Sequence, residues 1–439
     1  MTDWLAAITA WLNNNPQYLG VALLLACFAE CLAVVGLLVP GTLIVLALAV
    51  LAGSGVLSLG ETLMLAYLGG LAGDLVSYAL GRRYHQNIRR LKGLRDHPEW
   101  LLRAELYFRR YGVASLLVGR FIGPLRPMLP MTAGMLDMPF PRFLLVSLLA
   151  SAGWTLAYLL PGWTTGAALR LPLPEGFWPE AAVVAGSLAV LVGGSFYASL
   201  RGLRLTSPLV AGLCALGLLS LFLGWPRMVE FDQGLMQVIQ QERNSGWDQT
   251  MIFLTRLGDR DIQAAAGALL CLVLLAWRQW RQALFAGLAL TSTAVAVTAL
   301  KQTFARTRPD VLLEPLTSYS FPSGHTSASF AFFLVLGVLA GRGQLVRMRM
   351  TWMLITCLPA SLIAASRVFL GVHWPTDVIA GALLAASCCA ACLALTQWRR
   401  PLQPLRARPW LSILPLCLGL LVAYAIWALP AGGELYRYR

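Results

Sequence analysis

Apolar runs of about twenty residues, long enough to cross the hydrocarbon core of a bilayer as helices, recur along this chain and alternate with short turns rich in arginine. They fall near 18–38, 61–81, 143–160, 181–200, 205–224, 262–277, 284–304, 327–340, 351–369, 378–396 and 410–429. Lipid offers the backbone no hydrogen-bonding partners, so such runs fold as helices packed on one another. Only 12% of the 439 residues are charged and 58% are hydrophobic, a balance far from that of a water-soluble domain. The expected fold class is an all-α multi-span membrane protein.

The formal net charge of +14 does not point to nucleic acid, because Lys and Arg sit mainly in loops, where they set orientation and meet anionic headgroups. The loop 82–110 is strongly basic, and further clusters lie at Arg278/Arg281, Arg342/Arg347/Arg349 and Arg399/Arg400/Arg406/Arg408, on alternate turns. By the positive-inside rule these loops face the cytoplasm and the intervening turns face outward. The nine cysteines lie within apolar runs without metal-ligand spacing, so they read as small buried hydrophobes, and no metal or cofactor is expected. Residues 1–15 lack a basic n-region and a cleavage site, so insertion is expected to rely on the spans themselves.

Two stretches break the helical pattern at membrane depth. Val39-Pro40-Gly41-Thr42 interrupts the first apolar region, and 37–55 is expected to form a re-entrant hairpin. The stretch 118–130 sets Pro124, Pro127 and Pro130 among apolar residues together with Arg120 and Arg126. Val35-Gly36, Pro40-Gly41 and Ala52-Gly53 are echoed by Val118-Gly119, Gly123-Pro124 and Ala133-Gly134, the kind of recurrence found in inverted-repeat transporters, whose site lies between the repeats. Charge at that depth is costly, which makes Glu30, Arg120 and Arg126 a candidate site for a lipid phosphate and a proton; the structural alternative is an ion pair between Glu30 and one arginine. Asp74 either joins them or pairs with Arg82. His85 and His97 fall in the basic loop and are expected to be solvated.

The polar residues of 301–377 stand out more sharply. They form three groups: Lys301-x6-Arg308-Pro309, Pro322-Ser323-Gly324-His325, and Ser366-Arg367-x5-His373-x3-Asp377. Loop orientation sends all three to the outer side. Lys301, Arg308 and Arg367, with Ser323 and the backbone amides of Gly324 at a helix start, suit a multiply charged phosphoryl group. His373 and Asp377, four residues apart, can share a face, so the carboxylate would hold one imidazole nitrogen protonated while the other attacks phosphorus. His325 remains to protonate the leaving oxygen and then to activate water. The plainer alternative is cations that snorkel at span ends. Yet two of only four histidines lie in this constellation. The mixed-polarity stretch 225–260 is expected to be interfacial.

This tripartite spacing resembles the signature of the type 2 phosphatidic acid phosphatase superfamily, over about 205–396. The resemblance implies a six-helix core and a metal-independent phosphohistidine mechanism, with roles on the residues just given. Bacterial membrane members with an outward-facing site commonly act on undecaprenyl diphosphate, phosphatidic acid or phosphatidylglycerol phosphate. The first half, about 18–160, is similar to the DedA family. The matching residues are Phe28-Ala29-Glu30, Val39-Pro40-Gly41, Gly73-Asp74, Tyr78, Gly81-Arg82, Gly119-Arg120-Phe121-Ile122, Arg126, Ala133-Gly134-Met135 and Gly153-Trp154. That resemblance implies re-entrant hairpins and lipid translocation, with undecaprenyl phosphate as cargo class. Where many members carry an acidic residue after Pro-Gly, this chain has Thr42.

The expected organisation is a DedA-like lipid-translocating domain at 1–170, a connecting span and linker at 171–204, a phosphatase domain at 205–398, and a basic loop with a final span at 399–439. The function expected is hydrolysis of undecaprenyl diphosphate on the periplasmic side of a bacterial inner membrane, coupled to inward flipping of undecaprenyl phosphate through Glu30, Arg120, Arg126 and Asp74. The alternative is a broad phospholipid phosphatase with a non-transporting first half. Partners are the bilayer and lipid phosphates; a homo-oligomer stays open.

Overall fold

The computed structural model describes residues 11, 14–33, 35–38, 41–84, 102–103, 105–106, 108, 114–120, 126–200, 205–241, 243, 245–314 and 316–438. Pro40, 121–125, most of the basic loop including His85 and His97, and Arg201–Arg204 lie outside them, so the expectations placed there stay untouched. The chain divides into two compact units, 1–172 and 173–439. Among the described residues all regular structure is helical, and nine helices are long and apolar enough to cross a membrane.

The first unit runs α1 (Leu19–Cys31), α2 (Val35–Leu38), α3 (Gly41–Leu51), α4 (Leu59–Tyr84), α5 (Ala114–Gly119), α6 (Met128–Met135) and α7 (Phe140–Arg170). The expected first span, 18–38, is not continuous. Its helix stops at Cys31, where Ser77 of α4 substitutes for the missing turn: its hydroxyl accepts from the Ala33 N–H at 2.8 Å and approaches the Cys31 carbonyl at 3.2 Å. The break thus precedes Pro40 and is held by a side chain of another helix. A Cβ on Gly36 would overlap the Glu30 carbonyl, so the chain folds back on the end of α1.

The span expected at 143–160 continues through Pro161 to Arg170. Its second half is a bed for α3 and the π-helical turn Ala52–Val56, because Gly162 and Gly166 let those backbones lie against it. Helices α4 and α6 cross at Gly81 and Gly134, each of which faces the other helix's carbonyls. Tyr78 stacks on Phe143 beside that crossing, centroids 4.1 Å apart.

The second unit runs α8 (Phe177–Leu200), α9 (Thr206–Gly224), α10 (Val229–Gln241), α11 (Ser245–Arg256), α12 (Arg260–Ala276), α13 (Trp280–Phe304), α14 (Gly324–Gly341), α15 (Val346–Phe369), α16 (Pro375–Thr396), α17 (Ala407–Trp427) and α18 (Leu429–Leu435). Helix α14 lies at the centre, and Phe332, Val335 and Leu339 bury themselves among Phe285 of α13, Ile363 of α15 and Leu393 of α16. The final span belongs to this core: Ile413, Cys417 and Leu421 are buried with Leu270 and Leu274 of α12.

The stretch 225–260, expected to be interfacial, is helical over most of its length. It folds into α10 and α11, which bury Phe231, Met236, Val238 and Ile252, and also Asp232 and Thr255, at one end of the bundle. The C-terminal ends of α13 and α15 and the N-terminal ends of α14 and α16 meet at that same end. The opposite end carries the basic turns, where Arg281 donates to the carbonyls of Thr396 and Arg400.

Candidate active site

His373 sits in the turn between α15 and α16. Gly371, at φ 69°, makes that turn in a conformation that suits a residue without a Cβ. Helix α16 then starts with Trp374 as N-cap, Pro375 next, and Asp377 accepting from the Trp374 N–H at 2.9 Å. That capping geometry fixes the Asp377 carboxylate, whose Oδ2 lies 3.4 Å from His373 Nδ1. Ser320 completes the clamp: its hydroxyl is 3.2 Å from Nδ1 and donates to Asp377. Nδ1 therefore faces oxygen acceptors, and Nε2 is turned to the Arg308 guanidinium at 3.2 Å. Burial, then the cations of Arg308, Arg367 and Lys301, holds the imidazole well below its ordinary range, as a neutral base.

Behind this pair lies a layer that the motif spacing does not announce. Arg306, buried, donates to Asp377 at 2.7 Å, to Asp232 of α10 at 2.6 Å and to Thr376 at 2.8 Å. Asp232 in turn accepts from the Thr376 N–H and hydroxyl at 2.9 and 2.6 Å. The rings of Trp225 and Trp374 lie 4.6 and 5.6 Å from the Arg306 guanidinium. Arg306 was legible as a charge two residues before Arg308. Asp232 stood among the few acidic residues of a strongly basic chain, in a stretch assigned to the interface.

The expected phosphate-binding residues come together around His373. Arg308 is stretched across the loop by donation to the Ser318 carbonyl at 2.7 Å and the Val372 carbonyl at 2.6 Å, and burial and Arg367 push it down to about 10. A cavity of about 310 Å³ opens beside it, lined by Arg306, Arg308, Ser318, Tyr319 and Val372 among others. Lys301 donates to the Tyr319 carbonyl. Ser323 caps α14, and Gly324 opens its first turn. Arg367 is almost fully buried; its Nη1 donates to Thr255 at 2.6 Å and to the Tyr436 hydroxyl at 3.0 Å, while its Nε has no partner among the described residues. Thr255 and Tyr436 were not foreseen, since neither lies near a motif.

His325, in the first turn of α14, does not stand alone. Its Nε2 lies 2.8 Å from Asp259 Oδ1, and the other carboxylate oxygen accepts from Arg256 and from Tyr424, each at 3.0 Å. Burial raises the Asp259 pKa, but the bonds from His325 and Arg256 outweigh it and leave the carboxyl below its usual range.

In the first unit Glu30, Asp74, Arg120 and Arg126 also gather in one place. Glu30 pairs with Arg126 at 2.6 Å and accepts from Thr42 at 2.7 Å. Asp74 pairs with Arg120, not with Arg82, which donates to Tyr78 instead. The two guanidiniums lie 5.4 and 4.7 Å from the ring of buried Trp154. One oxygen of Glu30 and the Nε atoms of both arginines lack hydrogen bonds among the described residues.

Comparison with known proteins places both halves. The VTT domain matches residues 39–164 and the PAP2 superfamily matches residues 282–401. The chain is 36% identical over 167 residues to inner membrane protein YabI of Escherichia coli (strain K12), covering 38% of this chain and 66% of that protein. It is 30% identical over 171 residues to an undecaprenyl-diphosphatase of Sulfolobus acidocaldarius, 37% of this chain and 77% of the relative. The chain thus spans about two thirds of the length of the first curated relatives it matches. A crystal structure of a PAP2-type phosphatidylglycerolphosphate phosphatase from Bacillus subtilis aligns with 44% of this chain and 98% of its own, at 21% identity and a TM-score of 0.39. The chain therefore belongs to the DedA (VTT-domain) family through its first half and to the PAP2 phosphatase superfamily through its second.

Proposed function

We propose that the second unit is a lipid phosphatase that hydrolyses undecaprenyl diphosphate to undecaprenyl phosphate on the periplasmic side, and that the first unit carries undecaprenyl phosphate inward. His373 Nε2 attacks the terminal phosphorus, the phosphoryl–oxygen bond breaks, and His325 protonates the departing oxygen. Water, deprotonated by His325, then attacks the phosphohistidine, the phosphorus–nitrogen bond breaks, and inorganic phosphate leaves. Arg308, Arg367, Lys301 and the α14 amides hold the phosphoryl oxygens, with Ser323 at the helix start. The observation that carries this reading is the clamp of Asp377 and Ser320 on His373 Nδ1, which leaves Nε2 as a neutral nucleophile among cations. The outward side is inferred from the basic turns at the opposite end of the bundle.

The test is phosphate release by purified protein in detergent with excess chelator, across undecaprenyl diphosphate, phosphatidic acid and phosphatidylglycerol phosphate. A strong chelator effect, or an active His373→Ala variant, would defeat the mechanism. Preference for a glycerolipid would defeat the substrate assignment.

For the first unit, a carrier on the same chain as the phosphatase would meet its product at high effective concentration. A second reading, a structural first half beside a broad phospholipid phosphatase, is favoured by the closure of its four charges into two pairs, Glu30 with Arg126 and Asp74 with Arg120. The atoms of those pairs left without hydrogen bonds favour transport, because a phosphate could engage them. Unchanged undecaprenyl phosphate recycling in Arg120→Ala and Arg126→Ala cells would decide for the structural reading.

A further inference from the structure

The two histidines of the phosphatase site are held by opposite nitrogens. Asp377 faces Nδ1 of His373, and Asp259 faces Nε2 of His325 at 2.8 Å. Asp259 arrives from outside the three motifs: it is the N-cap of α12, and α11 and α17 hold it there through Arg256 and Tyr424. Both of its oxygens are occupied by donors, so the carboxylate is ionised and fixed in direction.

An anion on one nitrogen of an imidazole stabilises the ring's protonated form and leaves the other nitrogen's proton to be given away. We infer that Asp259 is the positioning residue of the acid step: it fixes the His325 ring through Nε2 and offsets the cost of its charge while Nδ1 carries the proton that passes to the leaving oxygen. As the phosphoryl–oxygen bond breaks, that oxygen takes the Nδ1 proton. The neutral ring, still bonded to Asp259 through Nε2, then accepts a proton from the attacking water. The assistance counts most for an alkoxide leaving group and less for the phosphate that leaves from undecaprenyl diphosphate. This inference rests on the phosphatase reading given above.

The experiment separates the two. Wild-type protein, Asp259→Asn, Asp259→Glu and His373→Ala are assayed in detergent with phosphatidic acid, whose alkoxide needs a proton, and with p-nitrophenyl phosphate, whose phenolate does not. General acid assistance is worth about 10²–10⁴-fold, and Asp259→Asn is expected to lose at least about tenfold on phosphatidic acid while losing less than about threefold on the aryl ester. Asp259→Glu keeps the charge and is expected to give an intermediate ratio of the two rates; if Asp259→Asn does not fold, a lowered ratio in Asp259→Glu supports the assignment alone. Equal losses on both substrates, or a wild-type ratio in Asp259→Glu, overturn it, because a purely structural residue would affect both substrates alike. Failure of the phosphatase reading shows itself differently: His373→Ala would then retain activity on both substrates.

Discussion

Arg306 joins Asp377 to Asp232, with guanidinium nitrogens 2.7 Å from one carboxylate and 2.6 Å from the other. The orientation of His373, the proposed nucleophile, thus rests on a buried acid–base–acid row, of which only Asp377 belongs to the three motifs. Asp377 anchors the start of α16, fixes His373 and is itself fixed by an arginine on the loop after α13.

Removing the centre of that row leaves two buried carboxylates facing each other. Breaking a buried pair in this way costs roughly 3–5 kcal/mol, so Arg306→Met should lower the melting temperature of the purified protein and abolish turnover. Asp232→Asn, which keeps the shape and the bond from the Thr376 N–H but sets an amide N–H₂ where Oδ2 accepted from Arg306 and the Thr376 hydroxyl, should fold and lose activity by about ten- to a hundredfold, equivalent to about 1.4–2.7 kcal/mol. Wild-type thermal stability in Arg306→Met would show that the row carries no weight.

His373 is held below the usual imidazole range by burial and by the cations Arg308, Arg367 and Lys301, with His325 adding to the same effect and Asp377 opposing it from α16. The reactive form is the unprotonated ring. Since the folded value is depressed, kcat/KM should stay level as the pH falls through about 6.5, the unperturbed value, and drop only below it. Replacing Arg308 by Gln removes one cation and should move that acid limb upward, alongside a lower rate. The same sign applies to stability: protons bind the unfolded histidine more tightly, so its contribution is present above about 6.5 and lost as pH falls. A limb at or above the unperturbed value in the wild type would contradict the arrangement.

In the first unit, a Cβ on Gly41 would overlap Glu30 Oε2. Gly41→Ala must therefore push the carboxylate away from Arg126 and Thr42, at a cost of about 1–3 kcal/mol for overpacking. Phosphate release should persist, because none of the phosphatase residues lies in this unit, whereas undecaprenyl phosphate recycling in cells should fail. Normal recycling by a stably inserted Gly41→Ala protein would show that the Glu30 pairing is dispensable.

The helices and the motif residues were legible because apolar length and charged residues at fixed spacing leave few alternatives. Lys301, Arg308, His325, Arg367, His373 and Asp377 meet at one end of the bundle, as the alternation of spans requires. What escaped the sequence were residues whose role depends on packing. Asp232 and Asp259 look like ordinary polar positions of 225–260 until α10 turns the first into the bundle and the start of α12 the second. Ser77 reveals its part only because the end of α1 stops beside it. The true partner of Asp74 lies 46 residues away, at Arg120, whereas Arg82 was the near candidate.

Tyr436 offers the remaining test, since it reaches Arg367 from just after α18. Its hydroxyl accepts from Arg367 Nη1 at 3.0 Å, its carbonyl from Arg243 at 2.8 Å, and its ring packs in a cluster with Leu312, Leu370 and Val372 beside the loop that carries His373. Tyr436→Phe keeps the ring and the backbone bond and deletes only the hydroxyl. A hydrogen bond to a charged group contributes about 1.5–3 kcal/mol, so an Arg367 that points at the phosphate because Tyr436 and Thr255 aim it should lose about tenfold or more in kcat/KM, with the melting temperature little changed. Thr255→Val removes the other support, and the double variant should lose less than the product of the single losses, because both act through one guanidinium. Wild-type kcat/KM in Tyr436→Phe would mean that Arg367 holds its direction without the C-terminal segment.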